Sequence, residues 1–357
     1  MIELLLIVVL IIHLLYYVVI FRKVAHVSTA ESIDSKSNDI SLVICFKNEA
    51  DRVESLMKSV LHQAVSDIVL VDDFSIDETL NKLLQYQSER VQVIQPKIDK
   101  PGKKQAMQDG LATAKYDRVL VTDADCIPAS QDWAAQMNSI DKPLVLGYGP
   151  MVVTDTFVNQ FARFETYMTA IQYMGYALWG RPYMGVGRNM IIDKSIRNTN
   201  IDQIKGRDLA SGDDDLTINA IATGDNIGVC LHLNSFVYSH SRQTWATFIN
   251  QKKRHLTTST HYKPIHQILL ATFSGSHIAF YLLVMIGLIA GTIGPKIAFC
   301  TFVTKQLAQY WVHQSTSKKL HIRMSFVQFV MMDVVLFLYY SIMPFILLTS
   351  KNKNHWS

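Results

Sequence analysis

Short apolar runs alternate with amphipathic stretches from residue 41 to residue 123, and this alternation limits the fold more than any other feature. Each run is bounded by polar residues and suits a buried strand, while the stretches between them carry apolar residues at helical spacing. The pattern predicts an α/β fold with a doubly wound, mostly parallel sheet, right-handed crossovers and helices on both faces. The predicted strands are 41–46, 68–71, 91–94 and 118–123, and the predicted helices are 49–63, 77–86 and 103–114.

The pattern continues beyond residue 125 with longer elements. Residues 143–148 predict another strand, a glycine-bearing turn follows at 185–189, and a short helix begins at Asp214. Between them, residues 157–179 form a long helical segment with apolar residues at helical spacing, which predicts one buried face. This helix either packs on the sheet or faces a membrane surface or a bound substrate.

The N-terminal segment is almost continuously apolar from residue 2 to residue 21, and about 20 such residues are enough to cross a bilayer. Glu3 stands at the start of the run and Arg22 and Lys23 follow it, which differs from a cleaved signal peptide. We therefore expect an anchor that stays in the protein. Positive charge after the anchor predicts that the following residues face the cytoplasm.

The C-terminal part contains further candidate spans. Residues 268–293 and 325–348 are apolar and long enough, with Asp333 as the one acid of the second. A candidate near 296–313 is weaker, because the polar side chains within 305–309 have to face protein or the interface rather than lipid. The expected protein is a multi-pass membrane protein with an anchor (1–22), a linker (23–39), a cytosolic domain (40–260) and a C-terminal membrane region (261–357).

Composition limits the possible partners. The net charge of +4 is mild and favours neither nucleic acid nor an acidic partner, although a local basic cluster at an anionic membrane surface stays open. The cysteines are too far apart for a paired metal motif, and in a cytosolic domain they are expected to be free thiols. They are Cys45, Cys126, Cys230 and Cys300.

Two carboxylates one residue apart, Asp123 and Asp125, come at the end of the strand 118–123. Ligands of open α/β sheets gather beyond the carboxyl ends of the strands. Paired carboxylates at that position suit Mg²⁺ or Mn²⁺, which prefer oxygen ligands and share them with substrate phosphates. Taken alone, an Asp-x-Asp sequence is common and also fits an acidic loop or a helix cap.

Two other groups suit a nucleotide. Asp72 and Asp73 follow the strand 68–71, where a carboxylate can accept hydrogen bonds from a nucleobase or a ribose; a turn with a helix cap is the alternative. Lys103 lies where a loop leads into a helix and suits nucleotide phosphates, although a solvated basic loop gives the same pattern. The spaced glycines of a P-loop are absent from this sequence.

Acidic residues also open a later helix, as Asp213, Asp214 and Asp215. Capping accounts for one of them, but three adjacent acids repel one another, which indicates a shifted pKa and a catalytic role for one. Further on, Gln251 and Arg254 lie on related faces of a predicted helix. They suit a developing diphosphate charge or, equally well, the contact of a basic segment with anionic lipid.

In their order and spacing, these motifs resemble the membrane-anchored family-2 glycosyltransferases over roughly residues 40–260. The resemblance implies a GT-A-like fold with a Rossmann-type sheet, a cytosolic catalytic domain, a nucleotide-sugar donor and inversion at the anomeric carbon. It rests on the strand 41–46 with Lys47-Asn48-Glu49, on Asp72-Asp73-Phe-Ser75, Gly102-Lys103, Asp123-Ala-Asp125, Gly187-Arg-Asn189 and Asp213-Asp214, and on Gln251 through Arg254.

The resemblance also implies a role for each matching residue. The general base is Asp214, in an acidic pair that usually reads Glu-Asp in the family, with Asp215 as the nearest rival. His255 stands where the family's Gln-x-x-Arg-Trp element has its Trp, so processive polymer synthesis stays open. The implied donor-side residues are Asp72, Asp73, Lys103, Asp123 and Asn189, the implied metal ligands are Asp125 and Asp123, and the other implied catalytic residues are Asp213, Gln251 and Arg254.

The expected function is therefore transfer of a sugar from a nucleotide sugar, with a UDP-sugar as the expected donor, to a hydroxyl of a lipid-linked or glycan acceptor. Such a reaction belongs to the synthesis of envelope polysaccharide or glycolipid, with Mg²⁺ or Mn²⁺ as cofactor and no nucleic acid partner. Two alternatives stay open. A nucleotidyltransferase also uses an α/β sheet, a metal and a lysine near phosphates, and a membrane protein can bind a nucleotide without catalysis.

Overall fold

The computed structural model describes residues 2–29, 39–97, 102–199, 212 and 214–349. The strands in this part of the chain are β1 (Ser41–Phe46), β2 (Asp67–Asp72), β3 (Val91–Ile94), β4 (Arg118–Asp123), β5 (Cys126–Pro128), β6 (Leu144–Leu146), β7 (Met190–Asp193), β8 (Ile227–Val229) and β9 (Val237–Ser239). Seven of them form one sheet in the order β3-β2-β1-β4-β7-β6-β8, and β5 and β9 form a small second sheet.

The sheet is mostly parallel, as the alternation predicts. Its strand β1 pairs in parallel with β2 and β4, with Cys45 opposite both Val71 and Asp123 and with Phe46 opposite Asp72. The exception is β7, which runs antiparallel to β4 and β6. The sequence did not predict β7, because a run of four residues after a glycine turn is too short to show a period.

Helices cover both faces of the sheet within the described residues. The helices between residues 53 and 256 are α2 (Val53–Val60), α3 (Thr79–Leu84), α4 (Lys103–Thr113), α5 (Trp133–Asn138), α6 (Phe157–Leu178), α7 (Lys194–Thr199), α8 (Asp215–Ile221) and α9 (Trp245–Leu256). Those rich in apolar residues are α1 (Ile2–Leu15), α10 (Pro264–Ile289), α11 (Pro295–Leu320) and α12 (Phe326–Thr349).

The helix α2 is shorter than the predicted 49–63, because the first residues of that segment form a loop held by the next loop of the chain. The backbone N–H of Glu49 donates to Thr79 Oγ1 over 2.8 Å, and that of Ala50 donates to Asp77 Oδ2 over 3.2 Å. These bonds fix the loop after β1 against the loop after β2. Both loops lie at the carboxyl edge of the sheet.

Alternating side chains of the central strands fill two separate cores. Val43 and Val121 point into a core that contains α4, α6 and the end of the N-terminal apolar segment. Leu42 and Leu120 point into a core on the opposite face, beneath α2. Burial on both faces explains why these strands are continuously apolar.

Three helical segments of the described chain are long and apolar enough to cross a membrane: Ile2–His26, Pro264–Ile289 and Phe326–Leu347. The first continues from α1 through a π-helical turn (Tyr16–Ile20) and a 3₁₀ helix (Phe21–His26). It docks on α6 at Gly175, where a Cβ atom would lie 2.9 Å from the carbonyl oxygen of Ile20. A larger residue at that position has no room, so the glycine permits the close approach.

The helix α11 falls outside this group because one of its faces is polar. Its Lys305, Gln306 and Gln309 are buried, and they point at Asp333 of α12. Lys305 Nζ lies 2.6 Å from Asp333 Oδ2, and that oxygen also accepts from Gln306 Nε2 over 2.8 Å and from Tyr281 OH over 2.5 Å. The polar side chains thus face protein, as the sequence requires if α11 lies in a membrane.

Helix α12 also contacts helices outside this apolar group. Its Phe329 packs edge-on against Phe164 of α6, and its Tyr339 packs against Phe161 of α6 and Phe248 of α9. Ten residues of helix extend over about 15 Å. Because both ends of that length contact α6 or its neighbour, α12 joins the apolar helices to α6 and α9.

Candidate active site

The parallel register brings the ends of three strands to one edge of the sheet. β2 ends at Asp72 beside Phe46 of β1, and β4 ends at Asp123 beside Cys45. The acidic pairs that follow β2 and β4 therefore lie on neighbouring loops at the carboxyl edge, where such sheets bind ligands.

Asp73 lies fully buried at this edge and joins three segments. Its Oδ1 accepts a 2.9 Å hydrogen bond from the backbone N–H of Gly102, and Lys47 Nζ lies 3.4 Å from its Oδ2. Burial raises the pKa of Asp73, although both of these contacts act against that rise. The bond to Gly102 places the start of α4, and with it Lys103, beside the strand ends.

Asp72 is also fully buried, and its two oxygens differ. Oδ2 accepts from the backbone N–H of Ser75 over 3.2 Å and from Gln95 Nε2 over 2.9 Å. Oδ1 has no hydrogen-bond partner among the described residues. A buried carboxylate oxygen without a donor is costly, so this atom suits a donor supplied by a ligand, such as a base N–H or a ribose hydroxyl.

Lys103 stands in the first turn of α4 and reaches across to β4. Its Nζ lies 2.7 Å from Asp123 Oδ1. The Lys103 side chain is 20% exposed and that of Asp123 is 26% exposed. The pair is open to solvent on one side, so a phosphate can approach the ammonium group. The positive end of the helix dipole adds to the attraction for an anion.

A candidate metal centre lies at the end of β4. Ligand atoms of Asp123, Asp125 and Cys126 lie within 4.8 Å of one another. The Cys126 thiol is buried and its pKa is raised by that burial, and its Sγ donates to Asp125 Oδ1 over 3.4 Å. A protonated thiol is a poor ligand, so the two carboxylates are the better donors, and they fit a hard divalent cation.

Arg188 is the residue of this site that the sequence argument missed, although it stands inside Gly187-Arg-Asn189. Its backbone oxygen accepts from Thr122 Oγ1 over 2.7 Å, and its Nη1 donates to Ser239 Oγ over 2.8 Å. Burial acts to lower the pKa of Arg188, but Cys126, Asp123 and Asp125 outweigh it and raise that pKa. The charged guanidinium group of Arg188 is therefore held near Asp123 and Asp125.

Asn189 lies beneath the site and is 2% exposed. Its Oδ1 accepts from Trp133 Nε1 over 2.9 Å, and its Nδ2 donates to the backbone oxygens of Tyr148 and Ser235 over 2.9 and 2.7 Å. The oxygen and the nitrogen of this amide both hydrogen-bond to protein groups, which favours a structural role for Asn189 over the predicted contact with the nucleotide sugar.

Asp214 caps α8 and contacts the glycine turn. Its Oδ1 accepts from the backbone N–H of Asp215 over 2.8 Å, and its Oδ2 accepts from that of Gly187 over 2.7 Å. The turn of Arg188 and the predicted general base are therefore neighbours in space. A Cβ atom at position 187 would lie 3.3 Å from Asp214 Oδ2, so a glycine keeps this approach close.

Asp215, the rival for the general base, is 7% exposed and points into the protein. Its Oδ2 accepts from Thr258 Oγ1 over 2.5 Å and from Tyr262 OH over 2.7 Å, which ties α8 to the segment before α10. Asp213 lies outside the described residues. Of the two described acids, Asp214 is the one that contacts the glycine turn.

Gln251 and Arg254 lie on α9, and both are partly exposed. Between them, Lys252 pairs with Glu165 of α6. His255 lies on the same helix, and its side chain is outside the described part of the structure. The sequence singled out α9 but missed Glu165, because the pair joins residues 87 positions apart.

One family model matches the part of the chain that carries the acidic pairs and Lys103. The model of the family described as Glycosyl transferase family 2 matches residues 41–196. No curated protein sequence matches the chain.

Solved structures that resemble this chain were found as well. A mannosyltransferase from Pyrobaculum calidifontis, PcManGT in complex with GDP-Man and Mn²⁺, is 15% identical, with a TM-score of 0.56 over 95% of this chain and 99% of that chain. S. aureus TarS 1–349 is 15% identical, with a TM-score of 0.44 over 83% of this chain and 90% of that chain. Glucosyl-3-phosphoglycerate synthase from Mycobacterium tuberculosis, in complex with Mn²⁺ and UDP-Glc, is 14% identical, with a TM-score of 0.44 over 66% and 83%. The first of these likenesses supports the fold, and the predicted GT-A-like fold is confirmed.

Proposed function

The chain is a glycosyltransferase of family 2, and from this premise we propose that it is an inverting enzyme that moves a sugar from a nucleotide sugar to a hydroxyl of a lipid-linked or glycan acceptor. The observation that carries the proposal is the contact chain across the sheet edge. Asp73 holds the start of α4, Lys103 of α4 meets Asp123, and Asp123 stands beside Asp125. A lysine and an acidic pair at one edge suit a diphosphate with its metal ion.

On the donor side, we assign the base and ribose contacts to Asp72 and Asp73 and the diphosphate contact to Lys103. The buried Asp72 Oδ1, which lacks a donor among the described residues, supports the first assignment. A UDP-sugar is the expected donor. A GDP-sugar belongs in the test as well, since the mannosyltransferase of similar fold was solved with GDP-Man.

We assign the metal site to Asp125 and Asp123, with Mg²⁺ or Mn²⁺ as the cofactor. Two oxygen ligands beside a protonated thiol fit either ion. When bound, the ion supplies positive charge against the diphosphate leaving group. Lys103 and Arg254 add positive charge from the protein, and Gln251 is placed one turn before Arg254 on α9 to position the same group.

For the acceptor, we assign the general base to Asp214. The hydrogen bond from the Gly187 N–H holds one of its oxygens in place. This carboxylate takes the proton from the acceptor hydroxyl. As it does so, the hydroxyl oxygen attacks the anomeric carbon from the face opposite the diphosphate. Asp213 precedes the base in sequence, and its role stays a prediction.

The proposed setting is a membrane with the catalytic domain on the cytoplasmic side. The three long apolar helices support the membrane association, and the positive residues after the first of them support the orientation. The proposed division is an anchor, a linker, a catalytic domain at 40–260 and a membrane region after it.

A donor screen tests the proposal. Purified protein in membranes is given UDP-, GDP- and TDP-sugars, and the release of nucleoside diphosphate is measured together with label transfer to an acceptor fraction. Diphosphate release with transfer supports the proposal. Pyrophosphate release instead identifies a nucleotidyltransferase, and binding without turnover identifies a non-catalytic nucleotide-binding protein.

A further inference from the structure

Arg188 lies beside the candidate metal centre, and the proposed function gives it no role. It follows Gly187, whose N–H donates to the proposed base Asp214, and it precedes the buried Asn189. Its own side chain is only partly exposed. Because a guanidinium group does not lose its proton in proteins, this residue is a permanent cation at the carboxyl edge of the sheet.

The backbone of Arg188 lies against the end of β4. The antiparallel register of β4 and β7 pairs Val121 with Met190, and the same register continued by two residues puts Arg188 opposite Asp123. The backbone oxygen of Arg188 accepts from Thr122 Oγ1 over 2.7 Å, which holds the two segments together at this point. The residue is therefore placed next to the first of the two carboxylates.

The side chain of Arg188 is held by the small second sheet. Its Nη1 donates to Ser239 Oγ over 2.8 Å. Ser239 of β9 is paired with Cys126 of β5, and residues paired in this way carry their side chains on the same face of a sheet. Because Cys126 directly follows Asp125, the guanidinium group is kept beside the segment that carries both carboxylates.

The acidic pair thus has two protein cations as neighbours. Arg188 interacts electrostatically with Asp123 and Asp125, and Lys103 Nζ lies 2.7 Å from Asp123 Oδ1. A divalent cation that arrives alone is repelled by both positive groups, and repulsion between charges is stronger in a partly desolvated site than in water. A nucleoside diphosphate that arrives with the cation brings negative charge against both groups.

The two cations differ in how freely they can move. The ammonium group of Lys103 ends a flexible four-carbon chain, so a diphosphate can draw it away from Asp123. The guanidinium group of Arg188 is tied to Ser239, and the backbone of the residue is tied to Thr122. Its charge therefore stays beside the acidic pair whether or not a nucleotide is bound.

From this arrangement we propose that Arg188 controls the loading of the metal site: its charge keeps a free divalent cation out of Asp123 and Asp125, so that the cation enters together with a nucleoside diphosphate. The inference rests on the proposed function and adds to it a residue and an order of binding. Arg188 acts through the two carboxylates, so it is a positioning residue rather than a catalytic one.

The test measures Mn²⁺ binding to the full chain in detergent by electron paramagnetic resonance, first with Mn²⁺ alone and then with UDP or GDP. These nucleotides carry no sugar, so turnover does not enter the measurement. A protein-free sample corrects for complexes of Mn²⁺ with nucleotide, and Asp125→Asn gives the binding elsewhere on the surface. We expect at least about tenfold tighter Mn²⁺ binding with one of the nucleotides than without it.

Two results of this measurement overturn the inference. Equal Mn²⁺ affinity with and without nucleotide overturns it and leaves the proposed function standing. No Mn²⁺ binding with either nucleotide overturns it and counts against the proposed function as well.

The variant Arg188→Met removes the positive charge. Its affinity for Mn²⁺ without nucleotide is expected to rise by about tenfold, because the repulsion from the guanidinium group is gone. The direction of the change identifies the role, since a substitution that merely distorts the site weakens metal binding. Arg181→Met, at an exposed arginine after α6, is the matched control and is expected to leave the affinity unchanged.

Two further variants keep the test decisive if Arg188→Met does not fold. Arg188→Gln retains a donor for Ser239 Oγ without the charge and is expected to raise the affinity for free Mn²⁺ in the same way. Arg188→Lys retains the charge and is expected to bind free Mn²⁺ as weakly as the wild type. An unchanged or lower affinity for free Mn²⁺ in a folded Arg188→Met or Arg188→Gln protein overturns the assignment of Arg188.

Discussion

Aspartates occupy two contrasting environments in this molecule. Asp333, between the apolar helices, is fully buried and accepts hydrogen bonds at both carboxylate oxygens from lysine, glutamine and tyrosine side chains. At the sheet edge, Asp72 keeps one buried oxygen without a donor among the described residues, and Asp123 shares a half-open pair with Lys103. A buried carboxylate with hydrogen-bond donors at both oxygens holds helices together. A carboxylate with an oxygen that lacks a donor can accept a hydrogen bond from a ligand.

The contrast predicts different consequences for the same chemical change. Neutralising an aspartate at the sheet edge or beside it is expected to remove activity while the fold persists. Disturbing the bonds of Asp333 is expected to remove stability while the chemistry of the surviving folded protein persists.

The largest effect is expected for Asp214→Asn. The amide oxygen can still accept from the Gly187 N–H, but it cannot take a proton, so kcat is expected to fall by about 10² to 10⁴. The measurement is nucleoside diphosphate release together with a thermal unfolding curve. Asp215→Asn is the matched control, and it is expected to lower stability by about 1–3 kcal/mol because the bonds from Thr258 and Tyr262 weaken. A normal kcat for Asp214→Asn refutes the base assignment.

Removal of the metal ion is expected to cause the next largest loss of transfer activity. Excess chelator, or Asp125→Asn, is expected to lower transfer at least about 100-fold, because the diphosphate then leaves without the charge of the cation. Added Mn²⁺ should restore the chelated wild type and restore Asp125→Asn only in part. Full activity in chelator excludes a metal requirement.

A stability effect is expected when the pair between α11 and α12 is broken. Lys305→Met leaves Asp333 buried without its cation and is expected to cost about 3–5 kcal/mol in the free energy of unfolding. The double variant with Asp333→Leu should recover part of that loss. Unfolding in detergent gives the stabilities, and kcat per folded molecule should stay near that of the wild type. A single variant as stable as the wild type would show that the pair does not hold the bundle.

The smallest effect concerns Asp73 and pH. Because its folded-state pKa is raised above the ordinary 3.8, the folded protein holds this proton more tightly than the unfolded chain does. The resulting stabilisation is fully present below pH 3.8 and is lost as the pH rises through the folded pKa. Asp73→Asn has no such dependence, so its stability relative to the wild type should increase as the pH rises from 3 to about 6. A constant difference over that range would contradict the buried, ionisable carboxylate.

The residues of the candidate site that the sequence picked out are those that are local in the chain. Asp123 and Asp125 follow a strand directly, and Lys103 begins a helix, so periodicity and spacing were enough to find them. Arg188 and Glu165 were missed because their significance depends on contacts with distant segments. No local pattern distinguishes such residues from others on the same helix or turn.

The same physics limited the prediction of the membrane region. Hydropathy made α11 a weak candidate for a membrane span because Lys305, Gln306 and Gln309 are polar. Their hydrogen-bond partner, Asp333, lies on the next helix. Polar side chains that hydrogen-bond to each other across two helices look like unfavourable residues for a membrane span when the sequence of each helix is considered alone. Pairing between segments has to be known before the polar face can be recognised as buried.

The contact between Gly175 and the backbone of Ile20 has a geometric consequence. It fastens the N-terminal apolar segment to α6, the helix that also packs against α9 and α12. Because the contact joins packed backbone atoms, the fold itself sets the distance between the apolar segment and α6. An acceptor hydroxyl is then expected to reach the proposed base at only one depth relative to that segment.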